Sequence, residues 1–72
     1  MRWQDHIVAS PETFHGAPRF KGTHIPVALV LEDLAVGATM EELHQDYPSL
    51  QPEAVAAALA YAAQLASDTG GE

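Results

Sequence analysis

The rhythm of apolar and polar positions changes once along this chain, at Pro26. Upstream of it, apolar residues come in short runs between turn formers. Asp5-His6-Ile7-Val8-Ala9 reads as a short strand, because Ile7 and Val8 are β-branched and Ser10-Pro11 stops the run. Ser10 to Gly16 reads as a turn or a single helical turn. Ala17-Pro18-Arg19-Phe20-Lys21-Gly22 gives a second strand closed by its glycine, and Thr23-His24-Ile25 a third. Strands this short are marginal alone and must lean on helices or on a partner chain.

Downstream the spacing turns helical. Val27, Val30, Leu31, Leu34 and Ala35 recur at helical intervals, with Glu32 and Asp33 on the other face. Pro26 presets φ and lacks an N–H that the first helical turn does not use, while Gly37 can take the left-handed conformation that closes a helix. The first helix therefore spans about Pro26 to Val36. Thr39-Met40-Glu41-Glu42 has the form of a capping box, in which Thr39 accepts from the third helical N–H and Glu42 reaches back. The second helix, about Met40 to Asp46, is predicted to bury Met40, Leu43 and Tyr47 and to end at Tyr47-Pro48. Pro52 opens a third helix, to about Ser67, with Glu53 well placed for the helix dipole. Its alanine-rich sequence sets Val55, Leu59, Ala62 and Ala66 on one stripe and Ala54, Ala58, Tyr61 and Leu65 beside it. Alanine is the best helix former, and a smooth alanine face also lets another helix approach closely. The expected fold is one mainly α domain over residues 1–72. A β element (1–25) is followed by three helices (26–67) in a helix-turn-helix-like arrangement, and a tail (68–72) that frays. Trp3 is expected to pack on the core or a dimer edge.

Composition narrows the function classes. With 72 residues and no cysteine, the chain has neither disulfides nor a cysteine zinc site. An uncross-linked apolar chain of this size is expected to share its core in a homodimer. No run reaches transmembrane length, and the first residues lack the apolar centre of a signal peptide, so the cytoplasm is the default. The formal charge is −7, with the only cations, Arg2, Arg19 and Lys21, at the start and most carboxylates beyond residue 30. This balance argues against strong nonspecific nucleic-acid binding, and it also serves solubility.

Candidate chemistry is sparse. His6, His15 and His24 lie in the extended region and His44 on the second helix, with no i, i+4 pair to hold a metal, so surface histidines are expected. There is no nucleophile elbow and no Walker-type loop, and the carboxylate pairs Glu32-Asp33 and Glu41-Glu42 sit on helix exteriors. A non-enzyme without cofactor or metal is the expectation. In a helix-turn-helix reader the start of the third helix would meet base edges, and here it offers Gln51, Glu53, Ala56 and Ala57. Gln51 could read adenine, whereas Glu53 also repels phosphate. Arg19, Lys21 and His24 form the more cationic candidate surface, although charges on edge strands also block unwanted pairing.

Three words carry a resemblance: F-H-G-A-P-R-F-K-G-T-H-I-P-V, then L-A-V-G-A-T-M-E-E-L, then D-Y-P-S-L-Q-P-E-A-V-A-A-A-L-A-Y-A. Over roughly residues 6 to 66 they resemble a small bacterial and archaeal family, the domain of unknown function numbered 433, known as a VapB-type antitoxin of toxin–antitoxin systems. The family has arginine where this chain has His24, and threonine or serine where it has Gln51, which removes a permanent charge and weakens an N-cap. The resemblance implies a homeodomain-like or winged-helix-like fold, usually dimeric. It further implies neutralisation of a PIN-like ribonuclease toxin and binding of the operon's own promoter DNA. On this reading Glu53, Ala57, Ala60 and Gln64 are the expected partner contacts, and Arg19, Lys21, His24 and Gln51 the DNA contacts. A DNA-binding regulator without a toxin, or a dimerisation module, are the alternatives.

Overall fold

The computed structural model of the chain describes residues 2–8 and 17–69. The turn expected over Ser10 to Gly16, and the end of the tail from Gly70, lie outside the described residues. Trp3–Asp5 form a 3-10 turn, followed by strand β1 (Ile7–Val8), strand β2 (Arg19–Phe20) and helices α1 (Val27–Ala35), α2 (Met40–Asp46) and α3 (Pro52–Thr69). The fold is mainly helical with a short N-terminal β element, as the sequence predicts.

β1 and β2 pair antiparallel, Ile7 opposite Phe20 and Val8 opposite Arg19. Asp5 belongs to the 3-10 turn rather than to a strand. The third strand expected at Thr23–Ile25 does not form. An isolated antiparallel bridge joins Arg19 to Pro26 instead, flanked by Phe20 N–H to the Ile25 carbonyl (3.1 Å) and Val27 N–H to the Pro18 carbonyl (3.0 Å). Pro26 has no N–H to extend a ladder, so pairing stops where the helix begins. Pro26 is the N-cap of α1, with extended backbone (φ −66°, ψ 139°).

α1 ends on a Schellman motif. Gly37 takes φ 99°, its N–H reaches the Leu34 carbonyl (3.0 Å), and the Ala38 N–H reaches that of Asp33 (2.9 Å). α2 opens on the capping box: Thr39 Oγ1 accepts from the Glu42 N–H (3.1 Å) and Glu42 Oε1 from the Thr39 N–H (2.9 Å). The Gln51 carbonyl accepts the Ala54 and Val55 N–H groups at the start of α3. That helix runs on to Thr69, past the expected end at Ser67, because the sequence offers no glycine or proline before Gly70.

The core gathers Ile7, Phe20, Val27, Val30, Leu43, Leu50, Val55 and the alanines Ala57 and Ala58, with Trp3, Leu31, Leu34, Tyr47 and Tyr61 packed on its margin. α3 is the element on which α1, β1 and the 3-10 turn all rest. Met40, expected in the core, is outside it, and so is Leu59 of the Val55 stripe. Leu59 is 52% exposed and Met40 45% exposed. In α3 nearly every position is apolar, so periodicity could not choose the buried face; packing selects the Ala54, Ala58 and Tyr61 side. Met40, at the first position of α2, overhangs the space between α2 and α3. Among the described residues no helix is long and apolar enough to cross a membrane.

Candidate docking surfaces

The segment from β2 to α1 holds three of the four residues expected to contact DNA, Arg19 on the strand and Lys21 and His24 in the loop. The loop is built by its own side chains. Gly22 takes φ 81°, and the Thr23 N–H closes a turn onto the Phe20 carbonyl (3.0 Å). The Thr23 hydroxyl donates to the same carbonyl (2.9 Å) and accepts from the Ile25 N–H (3.0 Å). Arg19 folds back over this loop. Its Nη1 donates to the Thr23 carbonyl (3.0 Å), and its Nε is buried with no partner. The guanidinium expected to meet phosphate is therefore engaged in holding the loop, and Arg19 is only partly exposed.

Lys21 and His24 are exposed. Lys21 borders a groove of about 290 Å³ together with Asp5, His6, Ser49, Gln51 and Glu53. The fold thus brings together two expected DNA contacts, Lys21 and Gln51, and sets two carboxylates beside them. Arg2, the remaining cation, lies 3.7 Å from Asp5 as an exposed pair. The more cationic surface expected around Arg19, Lys21 and His24 is consequently one of mixed charge.

The expected partner contacts divide. Glu53 is exposed and Ala60 half-buried. Ala57 is fully buried and corrects the expectation, since it faces the core and presents nothing to a partner. Gln64 is exposed, but its Oε1 accepts the Trp3 indole N–H at 2.8 Å. Trp3 also meets Tyr61 edge-on, with ring centroids 4.8 Å apart, so it packs on the core margin as its size suggested. Asp33 is not a plain solvated carboxylate either. It is half-buried and accepts the Tyr47 hydroxyl at 3.3 Å. Burial and then the Asp33 charge hold the Tyr47 phenol above its ordinary value of 10.0.

A second groove, of about 350 Å³, opens between α2 and α3 and is largely apolar, with Met40, Leu43, Leu50, Pro52 and Val55 along it and Glu41 and His44 at its edge. Sequence reasoning missed it because Met40 read as core. The available signal was the uncharged run from Ala54 to Ser67, too long for a helix with one wet face. Among the described residues no three His, Asp or Glu side chains come together as a metal ligand set.

Comparison with known proteins gives the chain a family and relatives. The family described as "Protein of unknown function (DUF433)" matches residues 7–62. The uncharacterized protein y4eO of Sinorhizobium fredii (strain NBRC 101917 / NGR234) is 34% identical over 56 residues, 78% of this chain and 25% of that protein. A crystal structure of a DUF433 member protein from Anabaena variabilis ATCC 29413 superposes with a TM-score of 0.77 at 34% identity, covering 85% of this chain and 60% of that one. The chain thus spans a quarter of the length of the first relative and rather more than half of the second.

Proposed function

We propose that this chain, which belongs to the DUF433 family, is a binding protein that docks a basic, RNA-cleaving partner and silences it, in the manner of a VapB-type antitoxin. The observation that carries the reading is the distribution of charge. No lysine or arginine follows Lys21, and α2 exposes Glu41, Glu42 and Asp46. A nuclease surface that binds RNA must be cationic to neutralise phosphate, and an acidic domain competes for that surface. The two cations nearest the N-terminal groove face carboxylates, and Arg19 is engaged internally, so the surface favours a protein partner over bare DNA.

A second reading, contact with promoter DNA, is favoured by one observation: Lys21 and Gln51 border the same groove. On this reading a cationic partner would supply most of the phosphate contacts and this groove a base contact.

Co-expression with the protein encoded next door tests the first reading. The expected result is a complex that survives size exclusion and a ribonuclease activity that returns when the chain is stripped away. A neighbour that neither copurifies nor loses activity overturns it. The purified complex is then tried on the operon's promoter fragment at low salt, where absence of a shift removes the second reading.

A further inference from the structure

We propose that the groove between α2 and α3, continued along α3 by Leu59, is the docking site for a basic amphipathic helix of a partner protein. The inference concerns the face used and its chemistry, and it stands or falls apart from whether that partner is a nuclease. The groove floor is Leu43, Leu50 and Val55, all buried, and Met40 overhangs it at 45% exposure. Leu59 stands one turn beyond Val55 and is 52% exposed. Ala56 and Ala63, exposed on the same side of α3, leave room for a backbone to come close. From Pro52 to Ala63 this strip is roughly 16 Å long at 1.5 Å per residue, about three turns of an incoming helix. A helix laid in such a groove engages it with residues at i, i+3, i+4 and i+7.

Charge selects the occupant. The groove edge carries Glu41 beside His44, α2 exposes Glu42 and Asp46 away from the groove lining, with Glu42 engaged in the capping box, and the helices contain no lysine or arginine at all. A second copy packed symmetrically on this face would bring two acidic, cation-free surfaces into one interface, and like charges across an interface disfavour it. A helix with apolar residues on one side and lysine or arginine on the flanks meets both features, and its cations meet Glu41 and the net negative charge of helices that hold no cation of their own.

The test uses the whole chain and a synthetic helical peptide of about four turns, with leucines on one face and lysines elsewhere. One control peptide replaces every lysine by glutamate. The methyl signals of Met40, Val55 and Leu59 are followed by NMR, with those of Leu29 and Val36, exposed on and just beyond α1, as reference. The basic peptide is expected to shift the first set and leave the second. Leu59→Lys is expected to weaken binding by about tenfold or more while Val36→Lys leaves it unchanged, circular dichroism confirming that both fold. Met40→Gln, which keeps the helix and removes only an overhanging apolar side chain, should weaken it as well.

Equal binding of the acidic peptide, shifts centred on Leu29 and Val36, or an affinity indifferent to both groove variants would overturn the proposal. So would a homodimer, seen by sedimentation, that protects these methyls. A nuclease complex that Leu59→Lys leaves intact would keep the nuclease reading and sink this one. Peptide binding at the groove without any nuclease partner would do the reverse.

Discussion

At the scale of single residues, three of the eight side chains expected to make contacts are occupied by the fold: Arg19 holds its own loop, Ala57 is in the core and Gln64 accepts from Trp3. Gly22-Thr23-His24-Ile25-Pro26 lies in the first of the words that carry the family resemblance. In the structure it is a chain reversal, with Gly22 at positive φ, Thr23 bonded on both sides of the turn and Pro26 capping a helix. Tyr47 makes the residue scale testable. Its hydroxyl bonds Asp33, and burial and the Asp33 charge raise its pKa above 10.0. The folded state thus holds this proton more tightly than the unfolded chain, so the stabilisation is complete below the unfolded value and is lost as pH rises through the folded one. Tyr47→Phe should cost about 1 kcal/mol near neutral pH, the usual net worth of one hydrogen bond. The gap to the parent chain should narrow above about pH 10, where only the parent carries a phenol to ionise. Urea unfolding of both proteins at the two pH values checks this; a gap that stays constant would mean that folding leaves the phenol pKa where the unfolded chain has it.

At the scale of elements, helix ends were legible in the sequence because start and stop chemistry is local. Gly37, the Thr39–Glu42 box and Pro52 each act through atoms within a few residues, and each lies where the structure uses it. Thr39→Ala removes one half of that box and should cost about 1 kcal/mol, or roughly 4–8 °C in Tm for a domain of this size. Thermal melts followed by circular dichroism measure it, and Thr39→Ser should restore most of the loss. What the sequence could not disclose was which way a face points when every position is apolar. Val55 and Leu59 share a stripe, yet one is 3% and the other 52% exposed, and only Val55 joins the core cluster. The candidate grooves were illegible for a related reason. Lys21 meets Gln51, and Met40 overhangs Val55, only after α3 has packed, and no local spacing encodes those meetings. The third strand failed differently: β-propensity favours Thr23 and Ile25, but a hydroxyl bonded to its own turn and a proline without a donor outweigh it.

At the scale of the whole molecule, the formal charge of −7 acts across a body only 37 × 28 × 22 Å. At about 0.01 M salt the Debye length is about 30 Å, so nearly every carboxylate feels every other; at about 0.1 M it is about 10 Å and only neighbours interact. The ion pair of Arg2 with Asp5 has both side chains well exposed and contributes little to oppose this repulsion. Folding concentrates the like charges, and screening relieves the compact state more than the expanded one. The Tm should therefore rise as sodium chloride is raised over that range. Binding of a basic partner responds to the same field with the opposite sign, since the attraction that guides it is screened by the same ions. Tm and partner affinity should move in opposite directions in one salt series, measured by thermal melts and by titration of the basic peptide. A Tm that falls with salt would mean that local attractions outweigh the net repulsion. An affinity that does not fall would mean that apolar contact alone holds the partner, and that the net negative charge has no part in choosing it.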